Sequence, residues 1–255
     1  MGSKGGSVTV GYRYYAGMHL ALCHGPIDSL NKIVVGERVA WSGAQTSSGQ
    51  ITINQPELFG GDDREGGIVG AVDLVMGDPA DGQNDYLIEK LGSTVPAFRG
   101  VVSLVLRQPQ LSALNPYIKP WSAELTRIIR RSDGSPQWYS TKAAINGDMN
   151  PAHVIHECLT DRVWGRGYGL SDIDDASFRA AADTLYAEGF GISLLWDQSQ
   201  DIDALIERVL QHIDGSLYAS PRTGLFILRL TRDDYTVAAI PVLNESNILA
   251  LESFE

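Results

Sequence analysis

Cysteine is nearly missing from this chain: Cys23 and Cys158 are the only two among 255 residues. Two thiols can build neither a disulfide framework nor a four-cysteine zinc site, and a reducing compartment is the expected setting. Long apolar runs are missing too. The longest, such as Val101 to Leu106, fall far short of the roughly 20 residues that a membrane helix needs. The opening Met-Gly-Ser-Lys-Gly-Gly-Ser has no apolar segment of the secretory kind and reads as a loose leader. Positive charge is scarce as well. The formal net charge is −11: residues 1–144 hold 13 acids and 13 bases, residues 145–255 hold 18 acids and 7 bases, and the second part carries the whole excess. Nucleic-acid affinity comes largely from clustered Lys and Arg on phosphate, so gripping DNA is disfavoured as the main task. Arg127, Arg130 and Arg131 form the one local basic cluster.

Catalytic signatures are also absent. There is no Gly-x-Ser-x-Gly elbow and no cysteine in an activating context. No Gly-x-Gly-x-x-Gly opens a helix after a strand, and no Walker lysine is present. What the chain does have is 44% hydrophobic residues against 20% charged. That is enough apolar material for a folded core, in one large or two small domains.

The hydrophobic period changes along the chain. In the first half it is that of strands: Ser7 to Cys23 with bends at Gly11 and Gly17, a hairpin of Leu30 to Val35 and Arg38 to Trp41 across Gly36-Glu37, then Gly67 to Met76, Gly100 to Arg107 and Ala123 to Arg131. The Ser/Gly/Thr-rich Gly43 to Gln50 and the turn-forming Gly77 to Gln83 are expected to be loops. After Asn146 the period is helical. Asn150-Pro151 places a capping side chain before a proline suited to the first helical position, ahead of Ala152 to Arg162. A second helix is expected over Asp174 to Glu188, stopped by Gly189, and a third over Ile202 to Ile213, ended by Gly215. A hairpin of Ser216 to Ser220 and Gly224 to Leu230 follows. The fold class is therefore α+β: a β-rich, barrel-like domain over 1–144, a small domain of three helices and a hairpin over 145–235, and a strand in 236–255 entering a further domain.

Three groups of side chains invite a chemical role. His153 and Glu157 are four apart and share a helix face, with His156 beside them, but the order is not that of a zinc protease and no third ligand is evident, so a plain helix-face pair is preferred. Asp78, Asp81 and Asp85 around Gly82 hint at calcium, yet the spacing fails the EF-hand pattern and solvated turn acids are preferred. Asp172, Asp174 and Asp175 are better explained as charges complementing a helix N-terminus. A pair of carboxylates for glycoside cleavage needs only a suitable separation, and nothing selects a pair from 31 acids. No catalytic, metal or cofactor site is assigned.

One segment goes further. Asn150 to Gly169 reads Asn-Pro-Ala-His-Val-Ile-His-Glu-Cys-Leu-Thr-Asp-Arg-Val-Trp-Gly-Arg-Gly-Tyr-Gly. It resembles the stretch in phage tail-tip (baseplate) hub proteins of the host-specificity, J-type class, where an Asn-Pro-Ala helix runs through Leu-Thr into a Trp/Tyr-Gly turn. Ser171-Asp172-Ile173-Asp174 opening the next helix is similar to that family. So are Ile202 to Gly215 with Leu217-Tyr218 and Gly224 to Arg229, and the opening Tyr14 to Pro26. The resemblance covers most of residues 10–230, and its motifs are structural.

The resemblance implies a structural virion protein at the distal end of a long-tailed phage tail, assembled in the host cytoplasm as a homotrimer around the tail axis. β-barrel domains would surround a channel, closed before infection, that later passes the tape measure protein and DNA without binding DNA specifically. Neighbours would be the distal tail protein and other tail-tip proteins, with the host envelope met indirectly. Family members generally continue well beyond this length, so Ile248 to Phe254 is expected to lead into a further hub domain. Tyr14, Tyr15, Trp121, Arg127, Arg130 and Arg131 are candidate subunit-interface residues, set against core packing for the aromatics and a solvated strand face for the arginines. Two other classes stay open: a tail-associated cell-wall hydrolase or peptidase, and a carbohydrate-binding β module.

Overall fold

The computed structural model describes residues 11–197, 200–240, 242 and 244. It is α+β and β-rich, as the hydrophobic period predicts. The first half contains β1 (Arg13–Tyr15), β2 (Met18–His24), β3 (Ser29–Val35), β4 (Arg38–Gln45), β5 (Gly49–Gln55), β6 (Ile68–Val75), helix α1 (Asp85–Leu91), β7 (Val101–Leu106), β8 (Gln110–Ala113) and β9 (Trp121–Thr126). The second half contains the short pair β10 (Ala144–Ile145) and β11 (Asp148–Met149), helices α2 (Pro151–Thr160), α3 (Asp175–Glu188) and α4 (Ile202–Ile213), and the hairpin β12 (Gly215–Ala219) and β13 (Phe226–Leu230).

One sheet is a curled, antiparallel half-barrel. Its strands run β5, β6, β7, β2. At the bend β8 takes over from β7 and β1 from β2, pairing Arg13 with Ala113 and Tyr14 with Ser112. The turn from β7 into β8 passes through Gln108 at a φ of 53°. A second, three-stranded antiparallel sheet has the order β4, β3, β9. The principal core lies between the two, where Val72 and Leu74 of β6 and Val102, Leu104 and Leu106 of β7 meet Leu30, Ile33, Ile51 and Ile53. The alternate residues Val75 and Val105 face the other way and pack under Leu87 of α1 and Val95. β6 and β7 are thus covered on both faces, which is why both read as nearly unbroken apolar runs. Each such side chain contributes about 1.5–3 kcal/mol by leaving water.

Two sequence expectations for the β half need correction. The stretch 43–50 is not a loop: it is the end of β4, a tight turn and the start of β5, whose pairing from Gly49↔Leu74 to Gln55↔Ile68 supplies a ladder that local composition does not suggest. The strand expected over 123–131 instead runs from Trp121 and stops at Thr126. The Asp28 carboxylate accepts hydrogen bonds from the backbone N–H of Ile128 (2.5 Å) and Ile129 (2.8 Å), so those donors leave the ladder.

The helical half follows its sequence signals closely. Asp174 caps α3 by accepting from Ser177 N, and Gly189 ends it in the left-handed region at φ 70°. At the end of α4 the left-handed position falls on Asp214 (φ 50°), one residue before the expected glycine; aspartate tolerates that conformation better than most residues. A second core joins Ile155, Cys158 and Leu159 of α2, Phe178, Ala182 and Leu185 of α3, Leu205, Val209 and Ile213 of α4, and Leu228 of β13. It shares no residue with the core of the β half. Of the strand expected in 236–255, Val237–Ala239 form a short 3-10 turn, and most of the rest lies outside the described residues. The same holds for Ser7 to Val10 of the first expected strand.

Asn150 does more than cap. Fully buried, it accepts from Ala152 N at 3.1 Å and donates to the carbonyls of Lys142 (3.0 Å) and Ala182 (2.9 Å), tying α2 to α3. Asn150→Ala is expected to cost about 2 kcal/mol, the upper end for a cap because two carbonyls also lose their donor. Urea denaturation of the variant checks this.

Candidate functional site

A shallow surface cleft of about 320 Å³ lies between β5, β6 and the loop leading into α1. At its base Asp73 stands in the middle of the apolar run of β6, on the side away from the main core, and is 5% exposed. Its carboxylate is fully engaged. Arg107 Nε and Asn84 Nδ2 donate to one oxygen, both at 2.7 Å, and Gln50 Nε2 donates to the other at 3.3 Å. The second arm of Arg107 pairs with Asp85. That hydrogen bond raises the guanidinium and holds the exposed Asp85 carboxyl below its usual range. Asn84 also caps α1 by accepting from Leu87 N at 3.1 Å. Asp73 and Asp85 share the one guanidinium of Arg107, and this network ties the start of α1 to β6, so the cleft has the character of a structural brace for α1.

The calcium-like aspartates are dispersed by the fold. Asp78 meets Arg130 at 3.1 Å, Asp81 accepts from the Ser48 hydroxyl and from Asp78 N, both at 2.7 Å, and Asp85 faces Arg107. His153 and Glu157 likewise turn to different partners. His153 Nε2 bonds the Tyr139 carbonyl at 2.9 Å, while Glu157 pairs with Arg127. Among the described residues no group of three or more His, Cys, Asp or Glu could hold a metal ion. Burial pushes the Cys158 thiol up to about 12 and raises Cys23 too, so neither is poised as a thiolate nucleophile.

The arginine cluster forms a clasp between the two halves. Arg127, Arg130 and Arg131 lie on the segment after β9, which runs between the cores. Arg127 reaches α2 at Glu157, whose other oxygen accepts from Gln137 Nε2 at 3.2 Å. Arg131 donates to Thr160 Oγ1 at 3.1 Å, and the Ser132 hydroxyl donates to Asp161. Arg130 turns to the β half, 3.6 Å from Asp28 and 3.1 Å from Asp78. The three arginines, candidates for a subunit interface or for a solvated strand face, thus all make contacts within the chain.

Beside the clasp sits an aromatic block. Trp138 stacks on His156 with centroids 4.5 Å apart and planes 11° apart, and Phe178 meets His156 edge-on at 5.8 Å. Trp138 Nε1 donates to Asp175 at 2.6 Å. Burial pushes His153 down to about 4 and His156 down to about 3, with Arg131 adding to the second.

The remaining interface candidates are not brought together with the arginines. Tyr14 is half-buried and Tyr15 is 58% exposed on β1, while Trp121 packs against the main core from β9. Tyr12, Leu114, Tyr117 and Ile118 are also exposed, and Leu114 N bonds the Tyr12 carbonyl just beyond the β1–β8 pairing. No protein-family model matches the chain, and no curated protein matches it. Functional inference therefore rests on residues and fold.

Proposed function

We propose that this chain is a structural virion protein, the hub subunit of a long-tailed phage tail tip, which closes the tail tube and forms the channel for tape measure protein and DNA. The observation that carries this is the curled half-barrel sheet, whose outer strands β2 and β5 are uncharged, joined to an acidic helical unit whose segments resemble those of hub proteins. A half-barrel is an incomplete wall, and identical subunits arranged around an axis are the ordinary way to complete one. The acidic excess of residues 145–255 suits a particle that must not retain DNA in transit. The cleft's carboxylates are tied up by Arg107, Asn84, Gln50 and Ser48. This favours a structural role over a hydrolase, which needs an acid and a base of separated pKa. The sequence resemblance adds a homotrimer, contacts to the distal tail protein and other tail-tip proteins, and a place at the far end of the tail.

Cryo-electron microscopy of the tail tip tests this. Three copies of the chain around the tube axis are expected; one peripheral copy, or a position away from the tip, would overturn it.

A further inference from the structure

We propose that β2 of one copy pairs with β5 of a neighbouring copy, so that the half-barrels join edge to edge into a closed wall; this names the contact surface for the hub reading above and rests on it. The half-barrel is bounded by β5 on one side and, on the other, by β2 and, past the bend, by β1, whose Arg13 pairs with Asp62. Among the described residues β2 pairs only with β7, and β5 only with β6, leaving a row of backbone donors and acceptors along each outer side. Proteins blunt such edges with charge, proline or bulges. The three-stranded sheet does so, with Arg38 on β4 and Glu124 on β9. Strands β2 and β5 of the half-barrel do not: Met18–His24 reads MHLALCH and Gly49–Gln55 reads GQITINQ, without one Asp, Glu, Lys, Arg or Pro. The only irregularity is a register shift between Ala21 and Cys23.

Direction and pattern select the partner. The order β5, β6, β7, β2 is antiparallel at every step, so β5 and β2 run in opposite senses. A copy related by rotation about an axis then presents its β5 antiparallel to this β2, and the ladder continues unbroken for any number of copies. Three copies would bring twelve strands into one wall. Both strands are seven residues long. With full overlap, Met18 faces Gln55 and His24 faces Gly49. That register sets Leu20 beside Ile53 and Leu22 beside Ile51, residues that in each copy already face the main core. Ala21 and Thr52, both exposed, meet on the opposite face. A one-residue slip would pair core-facing with outward-facing side chains.

Disulfide trapping tests the contact. In a Cys23→Ser background, the double variant Ala21→Cys, Thr52→Cys is expected to give covalent dimers and trimers on mild oxidation, while neither single variant does. Ala21→Lys, at an exposed position, should leave the denaturation midpoint unchanged and lower self-association at least tenfold by light scattering. Copies that associate without forming the 21–52 link, and with Ala21→Lys harmless, would overturn the pairing and leave the hub reading standing. A chain that stays monomeric at its highest soluble concentration would overturn the pairing as well. The hub reading is decided separately, by copy number at the tail tip.

Discussion

Lowering the pH from 7 to 4 is expected to remove about 6 kcal/mol of stability through His153 and His156 alone, against a typical total of 5–15 kcal/mol. Both imidazoles are at most 2% exposed, and burial holds them down to about 4 and about 3. The unfolded chain takes up these protons near pH 6.5, whereas the folded chain refuses them, so stability is complete above that pH and falls as the pH drops toward the folded values. The hydrogen bonding explains the refusal. His153 Nε2 faces the Tyr139 carbonyl and must carry the proton, which leaves Nδ1 as a buried atom with no partner; a proton there would be a donor without an acceptor. His156 lies between Trp138 and Phe178, with Arg131 and Arg179 opposing a further positive charge and only Asp175 favouring it. Urea midpoints across pH 7 to 4 check this. His156→Phe, which keeps the aromatic stack, should flatten the profile by about half. An unchanged profile would show that the imidazoles charge freely in the folded state.

Glu157→Ala is expected to cost about 3 kcal/mol and to loosen the helical half from the β half. Glu157 is almost fully buried at 4% side-chain exposure, and its removal strands the Arg127 guanidinium, whose Nε already has no partner, and leaves the Gln137 amide only the Arg130 carbonyl. Glu157→Gln keeps one acceptor oxygen and sets its NH2 against the other donor, so it should recover only part of the loss. The double variant Arg127→Met, Glu157→Leu should recover most of the loss, because a buried ion pair and a well-packed apolar pair of similar volume are nearly equivalent. Differential scanning calorimetry separates the outcomes. Glu157→Ala is expected to split one transition into two, as the halves lose their shared charge contact; a single transition with an unchanged midpoint would mean the Arg127–Glu157 pair holds nothing.

The helical half was legible in the sequence because its signals are local. Asn150, Asp174 and Gly189 act within a turn of their own helix, and the apolar face of α4 is complete within its twelve residues. The half-barrel was only partly legible because its signals are distant. β5 is a strand by virtue of β6, and β8 by virtue of β1, and neither composition carries a strong preference. The Arg127, Arg130 and Arg131 cluster was visible as charge, but its carboxylate partners stand up to 102 residues away at Asp28, so its use as a clasp was not. Asp73 offered the one clear hint that went unread: a carboxylate inside the apolar run Ile68–Val75 had to have a buried partner, and Arg107 is it.

The pairing of β2 with β7 sets a timetable for synthesis. Met18 lies opposite Leu106, so the ribosome must add nearly ninety residues before the inner edge of β2 is covered. At 5–20 residues per second that wait is about 4–18 s. Throughout it an uncharged, apolar strand emerges with no mate on either side. Nascent chains on neighbouring ribosomes carry the same segment, and are its nearest competing partners. Slow, well-spaced translation with a holding chaperone in reach should therefore govern the soluble yield of this protein more than the stability of its finished fold.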